Sequence, residues 1–189
     1  VDVSSRTSVQ AAVAQAEITF GTVEILVNNA GFSQDAPLEE MTDEQWDSVI
    51  HVNLKGSWLC SQAVVKGMKS LGKGRIINIA SRALLGENRK SNYCAAKAGI
   101  MGLTNALSIE LGHSGITVNA VAPGLIRTER VQNLRYFDDI DRRAKISTPI
   151  QRPGMADDIS AAVVYLASDH AGFVSGHTLY VTGGRYSST

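Results

Sequence analysis

Tyr93 and Lys97 stand four residues apart in the stretch Tyr93-Cys94-Ala95-Ala96-Lys97. On a helix they share one face, one turn apart. An ammonium held near a phenol favours the phenolate and draws the tyrosine down from its ordinary value near ~10. A tyrosine so placed is a candidate general acid/base for moving a proton on or off a hydroxyl or carbonyl oxygen. The spacing alone carries little weight, because Tyr and Lys at i,i+4 are usually two ordinary helix side chains. Other residues along the chain give it weight.

Those residues need elements to position them, and the sequence alternates strand and helix. Val1-Asp2-Val3 reads as the tail of a strand. Val9, Ala12, Val13, Ala16 and Phe20 recur at helix spacing over residues 8–20. Residues 23–27 form a β-rich run that ends at the turn Asn28-Asn29-Ala30-Gly31. Thr42 with Gln45 reads as a capping box that opens a helix running to about Ser70, with a break near Asn53. Residues 74–80 read as a buried strand, 92–111 as a helix, and 116–122 as a strand stopped by Pro123-Gly124. Residues 127–150 are polar and irregular with helical patches. A helix over 156–167 carries Asp157 and Asp158 in its first turn, where they favour the positive end of its dipole. A last strand spans 177–182 and ends at Gly183-Gly184.

Strands separated by crossover helices imply a parallel sheet covered on both faces. The helix from Ala95 to Leu107 is apolar or small nearly all round, so it must be buried on more than one side, which predicts a subunit interface. No repeat, low-complexity segment or domain linker interrupts the 189 residues, enough for one domain with a sizeable core.

Lys+Arg and Asp+Glu number 18 each, and the pI is about 7.1. This balance gives no support to nucleic-acid or membrane-surface binding. Cys60 and Cys94 do not make a disulfide framework and suggest a reducing compartment. His51, His113, His170 and His177 lack metal-ligand spacing. No apolar run is long enough to span a bilayer and no signal peptide opens the chain, so the expected location is the cytoplasm.

Asn28-Asn29-Ala30-Gly31, Asn53, Ser81, Tyr93/Lys97 and Pro123-Gly124 occur in this order. In parallel α/β sheets, ligands bind beyond the carboxyl ends of the strands. Asn29, Ser81 and Pro123 sit at such ends and are expected to converge on one crevice, with Tyr93 facing it from its helix. The ordered set resembles the short-chain dehydrogenase/reductase family, and within it the 3-oxoacyl-carrier-protein-reductase-like members. The likeness covers essentially the whole chain. It includes His51-Val52-Asn53-Leu54-Lys55-Gly56, Gly115-Ile116-Thr117-Val118-Asn119-Ala120-Val121-Ala122-Pro123-Gly124, Leu166-Ala167-Ser168-Asp169, Gly176 and Gly183-Gly184.

The resemblance implies a Rossmann-type doubly wound parallel sheet with helices on both faces, forming one domain over 1–189. It implies an enzyme that uses NAD or NADP to interconvert a secondary alcohol and a ketone. By the same resemblance Tyr93 gives or takes the proton, and Lys97 lowers the tyrosine's pKa and bonds the nicotinamide ribose. Ser81 holds the substrate oxygen, and Asn53, at a helix break, holds a water in a proton relay. Asp2 and Val3 match adenine contacts, and Asn29, Ala30 and Gly31 match the adenosine-ribose side. Pro123, Gly124, Ile126 and Thr128 match positions near the nicotinamide. Cys94, beside Tyr93, points to another helix face and reads as packing. Arg82, Arg127, Arg130 and Arg135 flank the substrate side, as solvated surface charges or as contacts for an anionic group. A homotetramer or dimer is implied, and the substrate is a small carbonyl or alcohol that the sequence does not name.

The chain departs from the family pattern at two points. Ser81 and Tyr93 are 12 residues apart, one fewer than usual, so the loop from Arg82 to Asn92 is expected to be trimmed. The family also opens with a Thr-Gly-x-x-x-Gly-x-Gly turn whose following helix receives the pyrophosphate, and these residues contain none. Two βα units, on the order of ~60 residues, are missing relative to that pattern. The expectation is that the native protein carries them, which an intact mass near 20.2 kDa would refute. Without them the choice between NAD and NADP is not legible. A non-catalytic binding or scaffold member of the same fold is the alternative reading. The intact set Asn53, Ser81, Tyr93 and Lys97 speaks for the enzyme.

Overall fold

A computed structural model describes residues 1–132 and 137–185. Among these residues four parallel strands lie in the order β1 (Ile25–Asn28), β2 (Gly74–Ile79), β3 (Ile116–Pro123) and β4 (Thr178–Val181). The register sets Asn28 beside Asn78, Ile79 beside Val121, and Pro123 beside Val181. All four carboxyl ends therefore point to one edge, as the sequence pattern predicts. The helices are α1 (Arg6–Phe20), α2 (Asp43–Ile50), α3 (Gly56–Leu71), α4 (Ser91–Leu111), α5 (Glu129–Gln132), α6 (Phe137–Ser147) and α7 (Ala156–Ala167).

The period-two alternation of the strands divides the core into layers. Ile76 and Val118 pack with Val64 and Met68 of α3 and Leu111 of α4. Ala80, Ala120 and Ala122 pack against Ile100 of α4 on the same face, at the carboxyl end. Ile77 and Val121 point the other way, onto Leu166 of α7. Both faces are covered, so β3 is buried along nearly its whole length. Edge strand β1 is different: Ile25 and Val27 remain 49% and 40% exposed.

Most local signals are realised. Thr42 and Gln45 form the reciprocal capping box at α2. The break near Asn53 is a π-turn over His51–Lys55 that joins α2 to α3. Gly72 ends α3 in the left-handed region, at φ 66°. Val1-Asp2-Val3 is the exception, since it forms no strand. The Asp2 carboxylate instead accepts from Ser4 N–H and Ser4 Oγ, which folds the segment into a turn before the Ser5 N-cap of α1. No described helix is long and apolar enough to cross a membrane. Arg135 and Tyr136 lie outside the described residues.

Candidate active site

Tyr93 and Lys97 lie in the first two turns of α4, which starts just beyond the carboxyl end of β2. Asn92, fully buried, anchors that start. Its Nδ2 donates to Gln34 O and Gln45 O, each at 3.1 Å, and its Oδ1 accepts from Tyr93 N–H at 2.7 Å. One side chain thus fixes α4 against α2 and the chain after β1. The sequence reading passed over Asn92, although an asparagine next to a candidate acid/base is a fair signal for a capping role.

Ser81 follows β2 and caps a short 3₁₀ turn over Arg82–Leu85, its Oγ accepting from Ala83 N–H at 3.1 Å. Its hydroxyl also hydrogen-bonds the Tyr93 phenol. The shortened loop between them contains Arg89 in the left-handed region at φ 63°, unusual for a residue other than glycine. Arg89 O accepts from Ala36 N–H at 2.9 Å, and Lys90 pairs with Glu87 at 2.7 Å. These contacts hold the later part of the loop, and Ser81 and Tyr93 line one crevice.

Burial pushes the Tyr93 phenol above its ordinary value. The Ser81 hydrogen bond and the Lys90 charge pull against that rise. The expectation that Lys97 draws the phenol down is not what this arrangement gives. Lys97 is 3% exposed, and its Nζ donates to Ile79 O at 2.7 Å. The ammonium lies 5.5 Å from the centre of the Tyr93 ring and is directed at a carbonyl. Burial brings Lys97 itself down to about 8, because desolvation disfavours its charged form.

Asn53 is fully buried in the π-turn. Its Nδ2 donates to Phe32 O and Val49 O, each at 2.9 Å, and its Oδ1 has no hydrogen-bond partner among the described residues. A Cβ on Gly31 would collide with that Oδ1 and stand 3.4 Å from Lys97 Nζ. Glycine is thus required where Asn53 and Lys97 face one space. An orphaned buried acceptor beside a buried ammonium is a place built for a further polar group.

Gly31, Ser81, Tyr93, Pro123 and Gly124 line one crevice of about 260 Å³. Asn29 and Ala30 turn the other way and line an apolar cleft of about 360 Å³ with Val3, Val9 and Val13. Asp2 is not brought into that cleft, and its carboxylate is engaged by Ser4. Ile126 lines a neighbouring cavity, and Thr128 lies exposed beyond it. Arg127 is ion-paired with Asp141 at 2.6 Å. Cys94 donates weakly to Glu87 O, at 3.8 Å, and does not itself line the crevice.

A buried polar network supports the crevice from beneath. Asn28 Nδ2 donates to Asn78 Oδ1 at 2.8 Å, and Asn78 Nδ2 donates to Thr104 Oγ1 of α4 at 3.0 Å. Asn28 Nδ2 also reaches Ser57 O and Ser61 Oγ of α3.

These residues fit one nucleoside end of a dinucleotide: the orphaned Asn53 acceptor, the Lys97 ammonium and the Gly31 approach suit a polar ribose and its surroundings. A Gly-rich pyrophosphate turn is not among them.

Comparison with known proteins agrees with this geometry. The family model described as enoyl-(acyl carrier protein) reductase matches residues 1–185. The chain is 46% identical over 185 residues to (2S)-[(R)-hydroxy(phenyl)methyl]succinyl-CoA dehydrogenase subunit BbsD of Thauera aromatica, covering 97% of this chain and 73% of that protein. It is 41% identical over 189 residues to 3-oxoacyl-[acyl-carrier-protein] reductase FabG of Haemophilus influenzae, covering 100% and 77%. A gluconate 5-dehydrogenase from Burkholderia cenocepacia, solved with NADP and tartrate, superposes with a TM-score of 0.91 at 34% identity, covering all of this chain and 74% of the other. With a parallel Rossmann-type sheet, a matching family model and relatives at this identity, the chain belongs to the short-chain dehydrogenase/reductase family and is an oxidoreductase that uses NAD or NADP.

Proposed function

We propose that the protein interconverts a secondary alcohol and a ketone, with Tyr93 as general acid/base. The hydrogen-bonded Ser81–Tyr93 pair opening onto one crevice carries this reading. Bonded to each other, the two hydroxyls keep one free O–H between them, and when a substrate oxygen arrives the bond between them can be exchanged for a second one to that oxygen. A phenol whose value is raised by burial is protonated at neutral pH, so Tyr93 is set to donate a proton to a carbonyl oxygen. Ser81 holds that oxygen and disperses the charge that develops on it.

Lys97 and Asn53 serve the proton's return. Lys97 Nζ and Asn53 Oδ1 share the space beside Gly31, where one water can bridge them. Lys97, near 8, exchanges protons readily around neutrality. Lys97 also supplies a donor to a ribose hydroxyl. NADH or NADPH, when bound, supplies the hydride for the carbonyl carbon. Val3, Asn29, Ala30 and Gly31 would hold its adenosine side, and Tyr93 and Lys97 its nicotinamide ribose. Pro123, Gly124, Ile126 and Thr128 would lie on the nicotinamide side.

The span 1–189 belongs to one dinucleotide-binding domain, partial at its N-terminus relative to the family pattern, in a cytoplasmic homotetramer or dimer. Apolar residues left exposed on α4 and β4 support association: Met101, Ile109 and Leu179. The likeness to 3-oxoacyl-[acyl-carrier-protein] reductase supports trying 3-oxoacyl thioesters first.

The test is turnover of a carbonyl panel, headed by acetoacetyl-CoA, with NADH and with NADPH. Reduction that Tyr93→Phe removes supports the proposal. If no carbonyl is reduced with either cofactor, and Tyr93→Phe alters no binding or kinetic quantity, the scaffold reading replaces it.

A further inference from the structure

Giving up its proton leaves Tyr93 as a phenolate, and a buried anion is costly without a cation beside it. Two lysines are placed to supply one. Lys97 Nζ lies 5.5 Å from the centre of the Tyr93 ring, but it donates to Ile79 O at 2.7 Å, and Lys97 does not line the crevice. Lys90 does line it, together with Ser81, Glu87 and Tyr93.

Lys90 stands immediately before α4, three residues ahead of Tyr93, and its side chain is held in place. The Glu87 carboxylate accepts from Lys90 Nζ at 2.7 Å, and Asp35, in the chain after β1, faces the same ammonium at 3.7 Å. The Lys90–Glu87 pair presents both signs to the space that holds the phenol, and its positive end prevails there. Burial raises the phenol most, the Ser81 hydrogen bond and then Lys90 draw it down, and Glu87 raises it by less than Lys90 lowers it. Of the other charged groups, Arg82 lines the crevice from the turn after β2, and Cys94 raises the phenol by less than Glu87 does. The elements packed on α4 also carry Asp43, Glu44 and Asp47 on α2, and His51 and Lys55 on the π-turn, all exposed and outside the crevice lining. Arg75 and His113 lie at the far ends of β2 and α4.

A cation fixed by two carboxylates at the crevice wall is already in place when the phenol ionises, with no loose side chain left to order. We infer that Lys90, clamped by Glu87 and Asp35, is a positioning residue for proton transfer, its ammonium serving as the counter-cation to the Tyr93 phenolate. This rests on the acid/base role proposed for Tyr93 and adds to it a residue outside the set read from the sequence. Lys97 keeps its place in the relay with Asn53. The two lysines also differ in charge. Burial pulls Lys90 down, but Glu87 and Asp35 outweigh it and hold Lys90 above its ordinary value, whereas burial takes Lys97 to about 8.

Tyrosine labelled with ¹³C at Cζ reads the phenols of the full chain by NMR, and the Tyr93 signal is the one that Tyr93→Phe removes. At about pH 10 Lys90 is still mostly charged and Lys97 mostly neutral, so a titration there reads Lys90. The ratio of tyrosinate to phenol at Tyr93 should fall about 10-fold in Lys90→Met, stay within about twofold of the parent in Lys90→Arg, and rise roughly threefold in Glu87→Gln. Opposite signs from two neighbours on one loop are the mark of charge, since a disturbed loop would expose the phenol and raise the ratio in both. The inference is overturned if Lys90→Met stays within about twofold of the parent, or if Lys90→Met and Glu87→Gln move together. Should Lys90→Met fail to fold, Glu87→Gln decides: a rise upholds the inference and no rise rejects it. The titration needs no turnover, so its outcome is separate from that of the proposed function. If the chain reduces no carbonyl, that function fails while the titration still decides the role of Lys90. If Tyr93→Phe removes turnover but the phenol ignores Lys90→Met, the acid/base proposal stands and this inference falls.

Discussion

The crevice around Tyr93 and the cleft between α1 and β1 lie on either side of one short turn, Asn28 to Gly31, and are built in opposite ways. On the crevice side nearly every polar atom is assigned. Asn28, Asn78 and Thr104 form a buried chain, Asn92 anchors α4, and Lys97 is aimed at Ile79 O. On the cleft side the lining is mostly valine and alanine, with Asn28, Asn29 and Ser57 as the polar minority, and the adjoining strand leaves Ile25 and Val27 half exposed. A polar site works through individual atoms, since an unsatisfied buried donor or acceptor is far more costly than a made bond is favourable. An apolar cleft works through area, which tolerates change in any one side chain. The same fold thus holds a region where single atoms matter beside one where they do not.

Substitutions can break this contrast, and the largest expected effect falls on turnover. Tyr93→Phe removes one oxygen and should lower kcat by about 10²–10⁴-fold, with the folded state retained by circular dichroism. A fall in kcat below tenfold would place the acid/base elsewhere.

Next is the polar network beneath. Asn78→Ala leaves Thr104 Oγ1 without its donor and Asn28 Nδ2 without its closest acceptor. The expected loss is about 2–3 kcal/mol, a fall in Tm of roughly 5–10 °C for a domain of this size. A fall under 2 °C would show that the network is not a determinant of stability.

A smaller effect belongs to Lys97. Its value is about 8 in the fold against 10.5 for an ordinary lysine. Between these values the unfolded chain binds the proton and the folded chain does not, so stability contributed through this group rises with pH. The difference in unfolding free energy between the parent and Lys97→Met should shift in the parent's favour by roughly 2 kcal/mol from pH 8 to pH 9.5. Urea titrations at the two values check it, and a flat difference would mean that the ammonium is not desolvated.

The smallest effect is expected on α1, the helix that walls the cleft. Ile18→Thr, at a side chain 81% exposed, should change stability by less than about 0.5 kcal/mol. A loss above 1.5 kcal/mol would show that this side chain is packed in solution, and the contrast would then need redrawing.

Local signals made a large part of this legible. The four-residue spacing of Tyr93 and Lys97, the Thr42/Gln45 box and the alternation of strand and helix are short-range patterns, and the structure keeps them. Asn53 was legible as a helix break, and the π-turn supplies the form of that break. The bond between Asn28 and Asn78 spans 50 residues and exists only because β1 and β2 align in one register. Val1-Asp2-Val3 misled because an extended reading ignores the Asp2 side chain bonding forward to Ser4.

The sequence by itself determined the order of the parts: which residues end strands, which pair shares a helix face, and which family the chain joins. Only the tertiary structure decided their electrostatics. Tyr93 is raised rather than lowered because burial outweighs its polar neighbours, and Lys97 falls to about 8 because it is enclosed. Arg82 and Arg185 line one cavity although one follows β2 and the other β4. Solvation and through-space charge depend on distances between residues far apart in the chain, and a linear pattern contains no such distances.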